Sequence, residues 1–408
     1  MQTRLTEAVL ATPQGREAER ILRSCVHCGF CNATCPTYQL LGDELDGPRG
    51  RIYQIKELLE GAPVTQETQR HLDRCLTCRA CESTCPSGVQ YARLADIGRN
   101  IVEAQVPRPA ATRLWRWSLR QVLPKPRRFA ALLGLGRIFK PLLPRTLAAH
   151  LPAKRVASPW PAARHRRRVL VLQGCVQPAL APDIDGAAAR VLDAIGISAV
   201  PVAIGCCGAV SYHLNAQAEG LATAKNAIDC ICVGLDAGAE AVVLSASGCA
   251  SFVAEYAHLL REDAAYATKA ARVTAALRDL SRILVDEASA FDARLAATPA
   301  KPTRVAFQSP CSLQHGLRIR GEVEALLMRA GYVCTPVADA HLCCGSAGTY
   351  SILQPELSGK LRANKLAALS GGQPERIATA NIGCMTHLAG GTATPVDHWV
   401  QLIAERIA

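Results

Sequence analysis

Two hydrophobic rhythms divide this chain. As far as residue 106, apolar positions recur every three or four residues, the spacing of one helical face. A helix is expected over residues 1–20, leading through "TEAVLATPQGREAERILRSC" into a cysteine cluster. Two more are expected in "RIYQIKELLEG" and "TQETQRHLDRC", and "LADIGRNIVEAQV" closes the region as another. From residue 169 the rhythm changes: short apolar, β-rich runs alternate with amphipathic stretches, which argues for α/β units. This half is written twice. "RVLVLQGCVQP", "VLDAIGISAVPV", "GCCGA", "LATAKNAIDCI" and "AVVLSASGC" return as "RVAFQSPCSLQHG", "LLMRAGYVCTPV", "LCCGSAG", "LSGKLRANKLAAL" and "RIATANIGC". A repeat of this length is a duplicated domain, not a solenoid.

Residues 107–168 fit neither rhythm. Nine prolines fall there, with "ATRLWRWSLRQVL" and "RRFAALLGLGRIF" as short amphipathic helices of a connector. The 408 residues exceed one ordinary core. The expected organisation is α+β and multidomain: a helical domain over 1–106, the connector over 107–168, and α/β copies over 169–300 and 301–408.

Charge sharpens the view of the connector. The chain carries a formal +12, yet sixteen Lys or Arg and no Asp or Glu lie between Pro107 and Arg168. Basic helices with Trp and Leu on the other side suit an anionic membrane surface, and an acidic groove on a partner would suit them equally. Nucleic acid ranks behind both, because no reading motif accompanies the charge. A solvated basic face is the plain alternative. The nearly unbroken apolar run "FAALLGLG" (129–136) is too short to span a bilayer.

Nineteen cysteines change the picture most. The opening twenty residues are polar and show no secretory leader, so free thiols in a reducing cytosol are expected rather than disulfides. "CVHCGFCNATCP" (25–36) and "CLTCRACESTCP" (75–86) are two copies of the bacterial ferredoxin spacing. Three cysteines two residues apart wrap one face of an iron–sulfur cube, and in two-cluster proteins the fourth reaches the other cube. One [4Fe-4S] set is therefore Cys25, Cys28, Cys31 and Cys85, and the other is Cys75, Cys78, Cys81 and Cys35. Small residues in the loops (Gly29, Ala33, Ala80) are expected to let N–H groups approach the sulfurs. Structural zinc needs only four ligands, usually as two separated pairs, and two complete strings argue against it. His27 and His71 lie nearby as tuning or packing residues rather than ligands.

The duplicated half has its own pattern. Each copy carries a lone cysteine after a predicted strand, then Cys-Cys-Gly, then a further cysteine. Cys175, Cys206, Cys207 and Cys249 map onto Cys311, Cys343, Cys344 and Cys384, and recurrence in register makes these eight candidates for a further cluster. Cys230, Cys232 and Cys334 fall outside both patterns and are read as structural. His213, His315, His341 and His387 lie near the set as weak candidates for tuning it.

This arrangement resembles the iron–sulfur subunits of bacterial glycolate oxidase, in which a two-cluster ferredoxin-like domain precedes two cysteine-rich Cys-Cys-Gly domains. The anaerobic glycerol-3-phosphate dehydrogenase iron–sulfur subunit shares the layout, and heterodisulfide reductase subunits share the duplicated domain. The heterodisulfide type ends each copy in Cys-x-x-Cys, whereas here Ala246 and Asn381 stand three residues before Cys249 and Cys384. Each copy is one ligand short, which puts the five-ligand cluster of that type in doubt. The resemblance implies an oxidoreductase subunit that is not catalytic alone. It implies electrons taken from FAD-containing partner subunits that oxidise glycolate to glyoxylate, or D-lactate to pyruvate, and passed to membrane quinone or another acceptor. It also implies a cytoplasmic chain peripheral to the inner face of the membrane. No flavin or nicotinamide motif is present, since "GLGRIF" (134–139) lacks the last glycine of a dinucleotide loop. A disulfide reductase and a zinc-dependent nucleic-acid module are the competing readings.

Overall fold

The computed structural model describes residues 1–142, 151–295 and 302–407. The expected boundary at residue 300 lies outside them. Two compact units emerge, one formed by Met1–Trp117 with His341–Lys365, the other by Ser118–Ala340 with Leu366–Ala408.

The first unit is helical. The expected opening helix is broken: Glu7–Leu10 ends before Thr12, whose Oγ accepts from the Gly15 N–H at 3.0 Å and caps Pro13–Ser24. The helices Pro48–Leu59, Gln66–Asp73 and Tyr91–Gln105 follow the apolar spacing read from the sequence. Their inward faces meet in a core of Ile21, Leu22, Ile55, Leu59, Leu72, Leu94 and Val102. Gly98 lets two of these helices close up, because a Cβ there would stand 2.7 Å from Ile55 Cγ1. His341–Lys365 belongs to this unit although it comes from the second α/β copy, a membership no local pattern announces.

The second unit holds two parallel sheets. The first orders β1 (Arg167–Gln173), β2 (Ile197–Ala203) and β3 (Ala241–Val243) as β2-β1-β3. The second orders β4 (Arg304–Gln308), β5 (Val333–Cys334), β6 (Arg376–Thr379) and β7 (Val396–His398) as β5-β4-β6-β7. Central β1 is buried along Val169–Leu172, as a strand covered on both faces must be. The copies meet directly: Ser247 N–H donates to the Ala380 carbonyl at 3.1 Å, and the Ser247 and Ser312 hydroxyls lie 2.8 Å apart. His398, fully buried, closes the seam by donating from Nε2 to the Ser245 carbonyl at 2.9 Å while Nδ1 accepts from Val400 N–H at 3.3 Å. Burial holds that imidazole neutral, its pKa lowered to about 4.

The connector's charge is less free than its sequence suggests. Arg108 is paired with Asp73 at 2.6 Å and Glu103 at 2.7 Å. Arg120 meets Glu219, Arg164 meets Asp193, and Arg167 meets Glu240 and Glu287. The acids absent from residues 107–168 are thus supplied by distant parts of the chain. Helix Pro126–Ile138 differs. Arg128, Arg137 and Lys140 bond to carbonyl oxygens, and Leu132, Leu135, Ile138, Phe139 and Leu142 are exposed, Ile138 by 71% and Leu142 by 80%. Among the described residues no helix is long and apolar enough to cross a membrane.

Candidate metal centres

The two ferredoxin strings fold alike because their loops take the same backbone shape. His27 and Thr77 are left-handed at φ 59° and 52°, and Gly29 and Arg79 follow at 86° and 62°. Left-handed residues on either side of Cys28 and of Cys78 turn N–H groups inward into an anion-binding concavity, and Thr77 N–H donates to Cys75 Sγ at 3.4 Å. At Gly29 a Cβ would meet the flexible end of Arg49, Nη1, at 2.7 Å. In the second loop Arg79 holds the same left-handed conformation with a long side chain. The cost of about 1–2 kcal/mol is the kind stored where a site dictates the backbone. Arg79 Nε donates to Glu82 Oε2 at 2.9 Å, which anchors it there.

Cys85 of the second string joins Cys25, Cys28 and Cys31 of the first in the lining of one cavity, which Cys81 lines as well. Burial, then the neighbouring Cys25, pushes the Cys31 thiol up to about 12. Burial raises the Cys81 thiol, and Cys78, Cys75 and Cys35 push it the same way. Four thiols gathered without a cation are mutually repulsive as thiolates, and an iron–sulfur cluster fits such donor sets by drawing off that charge.

Surroundings distinguish the sets. Cys28 is exposed, and beside it Val26 and Phe30 are exposed apolar side chains. The other set abuts a buried polar network. Arg51 donates to the His71 carbonyl at 2.8 Å and to Thr37 Oγ1 at 3.1 Å, and that hydroxyl lies 3.3 Å from Cys35 Sγ. Arg99 donates to the carbonyls of Leu72 and Cys75 and to Thr77 Oγ1. Burial would raise the Cys75 thiol, but Arg51 and Arg99 outweigh it and hold it below its ordinary value. His71 Nδ1 lies 3.0 Å from Asp46 Oδ1, so it packs into this network. Asp43, Asp46 and His71 have ligand atoms within metal-binding reach of one another, but Arg51 and Arg74 already pair with Asp46. Tyr350, from the second copy, is buried in this unit, and burial followed by Cys75 raises its phenol.

In the first α/β copy four cysteines converge. Cys175 follows β1, Cys206 and Cys207 form the turn after β2, and Cys249 lies in helix Ser247–Val253. The Cys175 and Cys207 thiols donate to Cys206, which favours its thiolate; Cys207 also bonds with Cys249 and is itself pushed up. Gly208 N–H adds a bond to Cys206 Sγ at 3.3 Å, and Gly345 N–H repeats it to Cys343 Sγ at 3.4 Å. Both glycines are left-handed, and a Cβ would strike the Gly220 carbonyl oxygen at 2.4 Å or that of Ser358 at 2.7 Å.

The second copy's cysteines are divided between the units. Cys343 and Cys344 are buried in the first, while Cys311, beyond β4, and buried Cys384 belong to the second. Asn381, in the place of the missing cysteine, donates from Nδ2 to Cys384 Sγ at 3.6 Å and accepts from Gly248 N–H at 3.4 Å. Ala246, its counterpart, is buried and caps its helix with no side-chain bond. Of the outlying cysteines, Cys232 joins the core of the first copy, Cys334 donates to the Glu324 carbonyl at 3.7 Å, and Cys230 is exposed. His213 packs edge-on against Tyr212 and Phe252, and His315 is buried.

Comparison with known proteins agrees with this geometry. Residues 21–89 match the 4Fe-4S dicluster domain, and residues 169–254 and 305–389 each match the cysteine-rich CCG domain. The glycolate oxidase iron-sulfur subunit of Escherichia coli (strain K12) is 54% identical over 409 residues, covering 100% of this chain and 99% of the relative. A probable glycolate oxidase iron-sulfur subunit of Bacillus subtilis (strain 168) is 31% identical over 95% of this chain and 93% of its own. Lactate utilization protein A of Exiguobacterium sp. is 26% identical over 57% of this chain and 95% of its own. Shared cysteine architecture and full-length similarity converge, and the chain belongs to the family of glycolate oxidase iron–sulfur subunits.

Proposed function

We propose that this chain is the electron-transfer subunit of a glycolate-oxidising complex, holding one [4Fe-4S] cluster on Cys25, Cys28, Cys31 and Cys85 and another on Cys75, Cys78, Cys81 and Cys35. Oxidation at an alcohol carbon moves two electrons, and iron–sulfur clusters relay them singly. The flavin belongs to partner subunits, where glycolate becomes glyoxylate and D-lactate is a substrate of the same class. The observation that supports this reading is that Cys85 lines a cavity with Cys25, Cys28 and Cys31, while Cys35 acts on Cys81 together with Cys75 and Cys78.

The Cys-Cys-Gly region extends the wire. Four converging thiols at Cys175, Cys206, Cys207 and Cys249 suit a further cluster, with Cys311, Cys343, Cys344 and Cys384 as the duplicated candidates. Quinone is the proposed acceptor, reached by peripheral docking of helix Pro126–Ile138 on anionic lipid. Exposed Leu132, Leu135 and Ile138 beside Arg128 and Arg137 support that docking. Iron and acid-labile sulfide on anaerobically purified protein test the whole reading. About twelve irons per chain are expected, about eight would confine clusters to the N-terminal unit, and zinc without iron would reject the reading.

A further inference from the structure

Fixed charge differs sharply between the two ferredoxin-type sets. Beside the first, Arg49 is cancelled by Glu44 at 2.5 Å, and the terminal ammonium that reaches the Cys25 carbonyl is partly exposed to screening water. Beside the second stand Arg51, 1% exposed, Arg99, 7% exposed, and Arg74. Arg51 and Arg74 share the ion-pair partner Asp46, at 3.3 Å and 2.7 Å, and Glu356 acts on Arg74 from farther off. Arg79 and Glu82 cancel each other. Every described partner of Arg99 is neutral: the carbonyls of Leu72 and Cys75 and the Thr77 hydroxyl at 2.8 Å. A buried guanidinium keeps its charge at any accessible pH and is poorly screened.

Resting on the ligand sets proposed above, we infer that Arg51 and Arg99 make the second set the higher-potential centre of the pair, so that an electron entering at the exposed first set is drawn inward. Adding an electron to a cluster adds negative charge, and an uncompensated neighbouring cation favours that state. Arg51 and Arg99 are positioning residues in this scheme: they touch ligand-bearing loops, not the reacting atoms.

EPR-monitored redox titration of the purified full chain tests it, with Cys28→Ser assigning the signal of the first set. The second set should reduce first. Arg99→Gln should cut its reduced-to-oxidised ratio about tenfold at the wild-type midpoint, about 59 mV for one electron, and leave the first set in place. Arg99→Lys should restore most of that shift, which a purely structural role for Arg99 would not. Should Arg99→Gln fail to fold, Arg74→Gln, at a partly exposed side chain, should move the same midpoint the same way by less. A first set reducing before the second, or both midpoints moving together, overturns the inference while the clusters themselves stand. Iron well below eight per chain would instead overturn the ligand assignment, and this inference with it.

Discussion

The two Cys-Cys-Gly copies share a turn and differ in what stands near it. Each has a left-handed glycine aiming its N–H at the first sulfur, at 3.3 Å from Gly208 and 3.4 Å from Gly345. Around the first turn four thiols touch one another in one unit. Both copies lack a cysteine three places before the last one, but Ala246 leaves that place apolar in the first, whereas Asn381 in the second bonds to Cys384 Sγ at 3.6 Å and to Gly248 N–H at 3.4 Å. The turn is fixed by sterics that any sequence must obey, whereas the residue at that place is free to differ between the copies.

The most drastic way to break this comparison is to remove sulfur. Cys207→Ser should cost about four irons per chain, and Cys230→Ser should cost none, read by iron and sulfide assay. Cys344→Ser is the sharper case: equal loss would show one cluster shared by the copies, and no loss would confine it to the first. Next come the turns. Gly208→Ala should destabilise by about 3 kcal/mol through strain and overlap, and Gly345→Ala by somewhat less because its carbonyl neighbour stands farther off. Thermal scans of both variants decide the order.

The seam between the copies gives a pH-dependent effect. His398 is neutral when folded, with its pKa lowered to about 4, and its unfolded value is near 6.5. Between those values the unfolded chain binds the extra proton, so stability is full above about 6.5 and declines toward pH 4 by about 3 kcal/mol. His398→Gln should flatten that part of the profile in denaturant titrations at several pH values. A decline unchanged in the variant would assign it elsewhere, since buried Asp185, with its pKa raised to about 6, acts in the opposite direction. The smallest effect is expected at Asn381→Ala, about 1 kcal/mol for the lost bond to Gly248, measured by the same denaturation.

Much of this was legible in the sequence because it is local. The cysteine strings, the duplicated half and the helices of the first unit rest on spacing and periodicity. What was hidden depends on distant partners. The connector reads as an unbroken basic field until Asp73, Glu219, Asp193 and Glu240 arrive from elsewhere in the chain. His341–Lys365 reads as part of an α/β copy, and only packing assigns it to the helical unit. Arg51 and Arg99 carry a signal in the sequence. Arg51 sits four residues before Ile55, and Arg99 four after Ala95 and three before Val102, on stripes that should be apolar. A cation on such a stripe announces a buried counter-charge or a site.

Cys28 stands open to solvent while Cys75 and Cys81 lie behind guanidiniums and a packed helix. On the proposed ligand sets, dioxygen and chelators should meet the first cluster well before the second. Exposure to air should bleach the protein in two phases, a fast one that protecting the face around Val26 and Phe30 would slow, and a slow one indifferent to it. In the assembled complex that face would be shielded by whatever covers it, so the chain on its own should be the more perishable form.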